Sequence, residues 1–219
     1  MRISRIPIRT AVVVFIAAHV VSVGEALAQT QPVTVVIVHH PETAVTEPPP
    51  FPLTQVGRQR AELLVQTFRD IGFTHIFATH TMRTRQTIEP VAAVRKLQIV
   101  QLPAPGSMLD GQLVTDSTSR QAAIEPIANA MLKLPAGSVA LVAANSDNIY
   151  GILNRLGVPV AATGQKCAVG SMCVPCLTND CFPGDDVDHL WYLVIETGRA
   201  KPLMMIETRY GAGWSPAKQ

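Results

Sequence analysis

The sequence predicts an α/β fold: a single doubly wound, mainly parallel sheet with helices on both faces. Three observations predict it. Short β-branched runs alternate with helical segments through most of the 219 residues, which is the pattern of βαβ units. The first such run, VTVVIV at 33–38, is apolar without alternation, as a strand covered on both faces reads. Apolar residues make up 47% of the chain and charged ones 16%, a balance that supplies a core and excludes disorder and coiled coil.

The elements follow in order. The opening MRISRIPIRT carries three arginines and no acid, the run AVVVFIAAHVVSV follows, and Ala26 and Ala28 give a small-x-small site. This is the layout of a secretory signal peptide, with an apolar run too short to span a bilayer comfortably. The expectation is removal of residues 1–28 and a periplasmic or secreted domain over 29–219 with no stable membrane anchor. Without that leader, 15 basic and 15 acidic residues remain. Nucleic-acid binding by bulk charge and polybasic membrane binding are thereby excluded.

After strand 33–38, the proline-rich stretch to residue 52 reads as loop. Thr54 is the expected N-cap of a helix reaching Asp70, with Ala61, Leu64, Val65 and Phe68 inward and Gly72 as its stop. Strands are expected at 74–79, 97–102 and 138–144, and helices at 83–96, 117–133 and 147–156. HLWYLVIE and PLMMIETRY read as a hairpin about Gly198, so one edge of the sheet is expected to be antiparallel. Trp191 and Tyr192 read as sheet packing, and His75 and His189 as structural strand-opening residues.

All four cysteines, Cys167, Cys173, Cys176 and Cys181, lie in a loop at about 160–188. In an exported chain they read as two disulfides, with three pairings open. The alternative is one zinc held by four thiolates, since Cys173-x-x-Cys176 has ligand spacing. A loop of this length is a candidate cover for a binding pocket.

Ligands of open parallel sheets bind at the carboxyl ends of strands. His39, His40 and Glu42 follow the first strand, His80 and Arg83 the second, and Asn145, Ser146 and Asp147 the fourth. Imidazoles beside an arginine form an anion-binding, nucleophile-bearing set. His39, His40 and His80 are also a conceivable zinc or copper set, although no spacing dictates a geometry.

These residues carry a family resemblance. VTVVIVHHPET is similar to the opening strand and R-H-G/A-E motif of the histidine phosphatase (phosphoglycerate mutase-like) superfamily. PLTQVGRQRAELL resembles that family's L-T-x-x-G-x-x-Q-A helix start, and THIFATHTMRTRQTIEP its S-P-L-x-R-T-x-Q-T-A-E segment. VALVAANSDNIYGILNRLG and the closing ETRYG fit as well. The resemblance implies a phosphohistidine nucleophile at His40, an oxygen clamp at Arg83 and a carboxylic acid that protonates the leaving group. Asp110 is preferred for that acid, with Glu89 and Glu42 as alternatives.

The sequence also departs from the pattern. The arginine before the nucleophile is His39, the second clamp histidine is Asn145, and the proline of S-P-L is His80. His39, His40, Arg83 and Asn145 are therefore the expected phosphate-binding set, with two of its members replaced. A phosphomonoester hydrolase of reduced activity follows, acting on a small phosphorylated substrate and requiring no cofactor or metal. The rival reading is a catalytically inactive pseudoenzyme on the same fold that binds an anion, a metal or a partner. No motif specifies the substrate or the oligomeric state.

Overall fold

Six strands form one sheet in the order β3-β2-β4-β1-β5-β6. The computed structural model describes residues 31–44, 51–102, 124–176, 187–196 and 198–211. The strands are β1 (Val33–His39), β2 (His75–Thr79), β3 (Ile99–Leu102), β4 (Val139–Ala144), β5 (His189–Ile195) and β6 (Met204–Arg209). The helices are α1 (Gln55–Thr67), α2 (Met82–Arg95), α3 (Ile124–Leu132) and α4 (Ser146–Arg155). Pairings β3–β2, β2–β4 and β4–β1 are parallel, whereas β1–β5 and β5–β6 are antiparallel. The mainly parallel sheet and the antiparallel edge both match the reading of the sequence. The expected signal peptide and Asp110 lie outside the described residues, as do Cys181 and the first part of the expected helix 117–133.

The continuous apolar run of β1 is explained by its central place. Val35 to Val38 are all fully buried, because helices cover both faces. On one face Val36, Val38, Ile76 and Leu141 meet Leu64 and Phe68 of α1 and Ile88 and Val91 of α2. On the other, Val35, Ile37, Val142 and Trp191 meet Ile127 and Met131 of α3 and Ile149 and Ile152 of α4. Each such fully buried aliphatic side chain contributes on the order of 1.5–3 kcal/mol from removal of its surface from water.

Helix α1 begins as predicted: the Thr54 hydroxyl accepts the Gly57 N–H at 3.0 Å. The Thr54 N–H donates to the Glu42 carbonyl at 2.9 Å, so the helix start is tied to the loop after β1. Gly57 is needed there, because a Cβ at that position would overlap the Glu42 carbonyl oxygen. The stop differs from expectation. The helix ends at Thr67 with Phe68 as C-cap, and Gly72 does not adopt a left-handed φ. The Arg95 guanidinium satisfies the terminal carbonyls of Phe68 and Arg69 at 2.7 and 2.6 Å, a tertiary contact that substitutes for a glycine cap. Gly157 at φ +89° follows α4.

Cys167 and Cys173 form a disulfide with Cα atoms 5.8 Å apart, and Cys176 is disulfide-bonded too. No thiolate of these three is left for zinc, so the disulfide reading holds over the metal one. The described part of the loop packs its Val158 and Val174 into the core beside Trp191. It starts at the end of the sheet where a Cβ on Gly157 would meet Ala200, far along the strands from His40. Residues 177–186 of the loop, part of the expected pocket cover, lie outside the described residues.

Candidate active site

Three strands end together. His39 of β1 lies beside Ala144 of β4 in parallel register, and Ala143 of β4 lies beside Ala78 of β2. The His40 N–H donates to the Ala144 carbonyl at 3.3 Å. The residues that follow these ends, His40, Asn145 and the 79–84 segment, therefore face one another. This is where an open sheet places its ligand. A groove of about 370 Å³ lies at the opposite end, lined by Val33 and Ile195 among others.

His40 is 8% exposed. Its Nδ1–H donates to the Pro41 carbonyl at 2.9 Å, and the Thr43 hydroxyl lies 3.3 Å from the same nitrogen. With Nδ1 carrying the proton, Nε2 carries the lone pair, and it accepts from Nε of Arg83 at 3.0 Å. The two nitrogens thus have separate tasks: one is anchored, the other is presented to a cation. Burial, then the neighbouring His39 and the Arg83 charge, hold the His40 imidazole well below its ordinary protonation range. It is neutral at pH 7, the form that can attack phosphorus.

That shift has a measurable sign. Between the ordinary value of 6.5 and the lower folded value, the unfolded chain binds a proton at this position that the folded chain does not. The contribution of His40 is fully present above pH 6.5 and is lost as pH falls toward the folded value, by up to about 1.4 kcal/mol per pH unit. His40→Asn is expected to flatten the fall of Tm below pH 6.5 relative to the native protein. Parallel Tm profiles would contradict a buried neutral imidazole.

His39 is completely buried. Alternation along β1 groups it with Val35 and Ile37, opposite to Val36 and Val38. The chain leaves the strand after His39, however, and the His39 and His40 rings come within 4.3 Å at a tilt of 41°. His39 is thus a ring neighbour of His40.

Asn145 is also buried and caps α4. Its N–H donates to the Asn148 side chain at 2.9 Å, and its Oδ1 accepts from the Thr81 hydroxyl at 3.2 Å. Its Nδ2 has no partner among the described residues. A buried donor without a partner costs about 1–3 kcal/mol, and an anion in the site would recover it. The cap role and the ligand-contact role expected of Asn145 are compatible.

Sequence reasoning missed what orients this amide. Thr79, Thr81 and Thr84 are all buried, and their hydroxyls lie 2.8–3.3 Å from one another. This triad joins the end of β2 to the start of α2 and aims one hydroxyl at Asn145. The only sequence signal was three threonines at 79, 81 and 84 around Arg83.

It also missed Arg60. Its guanidinium grips the Glu42 carboxylate through Nε at 3.0 and 3.1 Å and through a terminal nitrogen at 2.7 Å. Burial pushes the Glu42 carboxyl up, but the Arg60 hydrogen bonds and charge outweigh it, so the group is held below its ordinary range. Glu42 is thereby held as the ionised partner of Arg60. Glu89 pairs with Arg85 at 3.4 Å on the half-exposed side of α2 and stands apart from His40.

Among the described residues, no three His, Cys, Asp or Glu side chains converge to hold a metal ion, and the His39/His40/His80 set is not such a group. His75 stacks on Phe77 and bonds the Thr74 hydroxyl at 2.8 Å. His189 stacks on Trp191 at 5.3 Å and pairs with Glu207.

The sequence profile of the histidine phosphatase superfamily (branch 1) matches residues 35–104. That span holds His39, His40, Glu42, Arg60 and Arg83. No curated protein is significantly similar to the chain. Among solved structures, the protein histidine phosphatase SixA complexed with tungstate is similar at 13% identity, with 82% of this chain and 98% of that one covered and a TM-score of 0.48. Phosphoglycerate mutase from Plasmodium falciparum is similar at 12% identity, with coverages of 86% and 96% and a TM-score of 0.47. Phosphoglycerate mutase from Bacillus anthracis str. Sterne is similar at 17% identity, with coverages of 59% and 82% and a TM-score of 0.43.

Proposed function

We propose, from the match of residues 35–104 to the histidine phosphatase superfamily (branch 1), that this chain hydrolyses a phosphomonoester through a phosphohistidine at His40. One observation carries the reading. The His40 Nε2 lone pair faces Arg83 at 3.0 Å while Nδ1 is anchored on Pro41. A phosphoryl group entering between them meets a neutral nucleophile and a planar cationic donor at once. In-line attack forms the N–P bond as the ester P–O bond breaks. Arg83 and the Asn145 amide then take charge on the phosphoryl oxygens.

The clamp is degenerate, with His39 and Asn145 in place of an arginine and a histidine, so turnover is slow. A missing donor of this kind costs about 2.7–4 kcal/mol, or 10²–10³ in rate. Export to the periplasm or beyond belongs to the same proposal. The paired cysteines support an oxidising compartment, and the substrate is then an envelope or extracellular phosphate ester. The second reading, an anion-binding protein without turnover, is favoured by one feature: Arg83 already occupies the lone pair that must attack.

Phosphate release from 4-nitrophenyl phosphate between pH 5 and 8 separates the two. Under the phosphatase reading, chain 29–219 turns over, acid quenching traps a phosphohistidine, and His40→Ala lacks both. Tight orthophosphate binding with neither signal would establish the binding protein instead.

A further inference from the structure

We propose that His189 is the proton donor to the leaving group, an inference that rests on the phospho-His40 reading. Strand β5 runs antiparallel to β1 with Leu190 opposite Val38. One step further along both strands sets His189 across from His39, at the same sheet end as the nucleophile. Paired residues of antiparallel strands lie about 4.5–5.5 Å apart at Cα. His189 shares the sheet face of Trp191 and Leu193, which is the face of Ile37 and, by alternation, of His39. The positions of His40, His39 and His189 thus follow one another at this end of the sheet.

A second contact fixes this end of the hairpin beside the nucleophile loop. Arg60, which grips Glu42 two residues from His40, leaves no room for a Cβ on Gly211, and that same Cβ position is 3.4 Å from the Asp188 side chain. The Tyr210 N–H donates to the Asp188 carbonyl at 3.0 Å, and Arg209 pairs with Asp188. The residue before His189 is therefore held against the partner of the catalytic loop.

The side chain is built for proton transfer. Its Nδ1–H donates to Oε1 of Glu207 at 2.8 Å, from the adjacent strand β6. Nε2 is then the position that gains and loses a proton, and the Glu207 carboxylate balances the imidazolium charge. Stacking on Trp191 fixes the ring plane. The side chain keeps 12% exposure, enough to be reached and little enough to be sheltered. Of the two described carboxylates that the motif resemblance offers, Glu42 is held by Arg60 and Glu89 pairs with Arg85.

As the P–O bond breaks, the leaving oxygen takes the proton from Nε2 of the His189 imidazolium, and the neutral imidazole stays paired with Glu207. Water then attacks phospho-His40 and gives its proton to the same Nε2. Orthophosphate departs and the His40 lone pair is restored.

The test is leaving-group dependence. The native protein, His189→Gln, Glu207→Gln and Asp110→Asn are assayed on 4-nitrophenyl phosphate, whose leaving group needs no proton, and on phenyl and glycerol phosphates, whose leaving groups do. His189→Gln is expected to lose about 10²–10⁴-fold on the poor leaving groups and less than about tenfold on 4-nitrophenyl phosphate. Glu207→Gln is expected to show the same selectivity more weakly. An equal loss on all esters, no loss, or selectivity found only in Asp110→Asn overturns the assignment while His40-dependent turnover stands. Absence of His40-dependent turnover on every ester overturns the phosphatase reading and this step with it.

Discussion

Arg83→Ala is expected to lower kcat/KM for an aryl phosphate by about 10²–10³-fold, with the larger share in kcat. Two effects oppose each other. Removing Arg83 frees the His40 lone pair, which now accepts its Nε–H, and removes a charge that suppresses protonation of the imidazole. A released hydrogen bond of this kind returns about 0.5–1.5 kcal/mol to the nucleophile. The same substitution removes a charged fork from the developing phosphoryl charge, a loss of about 2.7–4 kcal/mol. The loss wins, more so because Asn145 brings a dipole and no charge. Arg83→Lys keeps the charge without the fork and is expected to fall between. Steady-state kinetics of both variants read this directly. A gain of activity in Arg83→Ala would mean that the arginine restrains the nucleophile instead of serving it.

Arg60→Ala is expected to cost about 2–3 kcal/mol of stability and to weaken activity although Arg60 touches no reacting atom. Truncating one partner of a fully buried ion pair costs about 3–5 kcal/mol, because the other charge is left uncompensated. Glu42 keeps 31% side-chain exposure, so the cost is set lower. The ripple is local and specific: Glu42 lies two residues from His40, its carbonyl holds the Thr54 N–H, and Arg60 abuts Gly211. Loss of the guanidinium therefore loosens the nucleophile loop and the hairpin end together. Chemical denaturation of Arg60→Ala, Glu42→Gln and the double variant checks it. A double-mutant cycle with no coupling would show that the pair does not organise the site.

Much of this was legible in the residues. The apolar run 33–38 could only be a strand covered on both faces, and it is the central strand flanked by β4 and β5. Thr54 with an apolar face three and four residues apart announced α1, because the cap and the burial period are local properties. His40 and Arg83 were legible because a spaced motif records residues that must converge on one atom. The end of α1 was not legible: the group that satisfies its last carbonyls is Arg95, 27 residues from Phe68, and no local rule reports a partner so distant.

The sequence by itself determined the fold class and the order of elements, and it singled out His40 and Arg83, since these readings rest on periodicity, capping and motif spacing along the chain. The tertiary structure alone decided which nitrogen of His40 holds the lone pair. It also decided that Glu42 is an ionised anchor gripped by Arg60, that a threonine triad aims the Asn145 amide, and that His189 reaches the nucleophile's end of the sheet. The physical reason is common to all four. Each depends on a hydrogen bond or a strand register between segments far apart in the chain, and such pairings are set by how the sheet assembles.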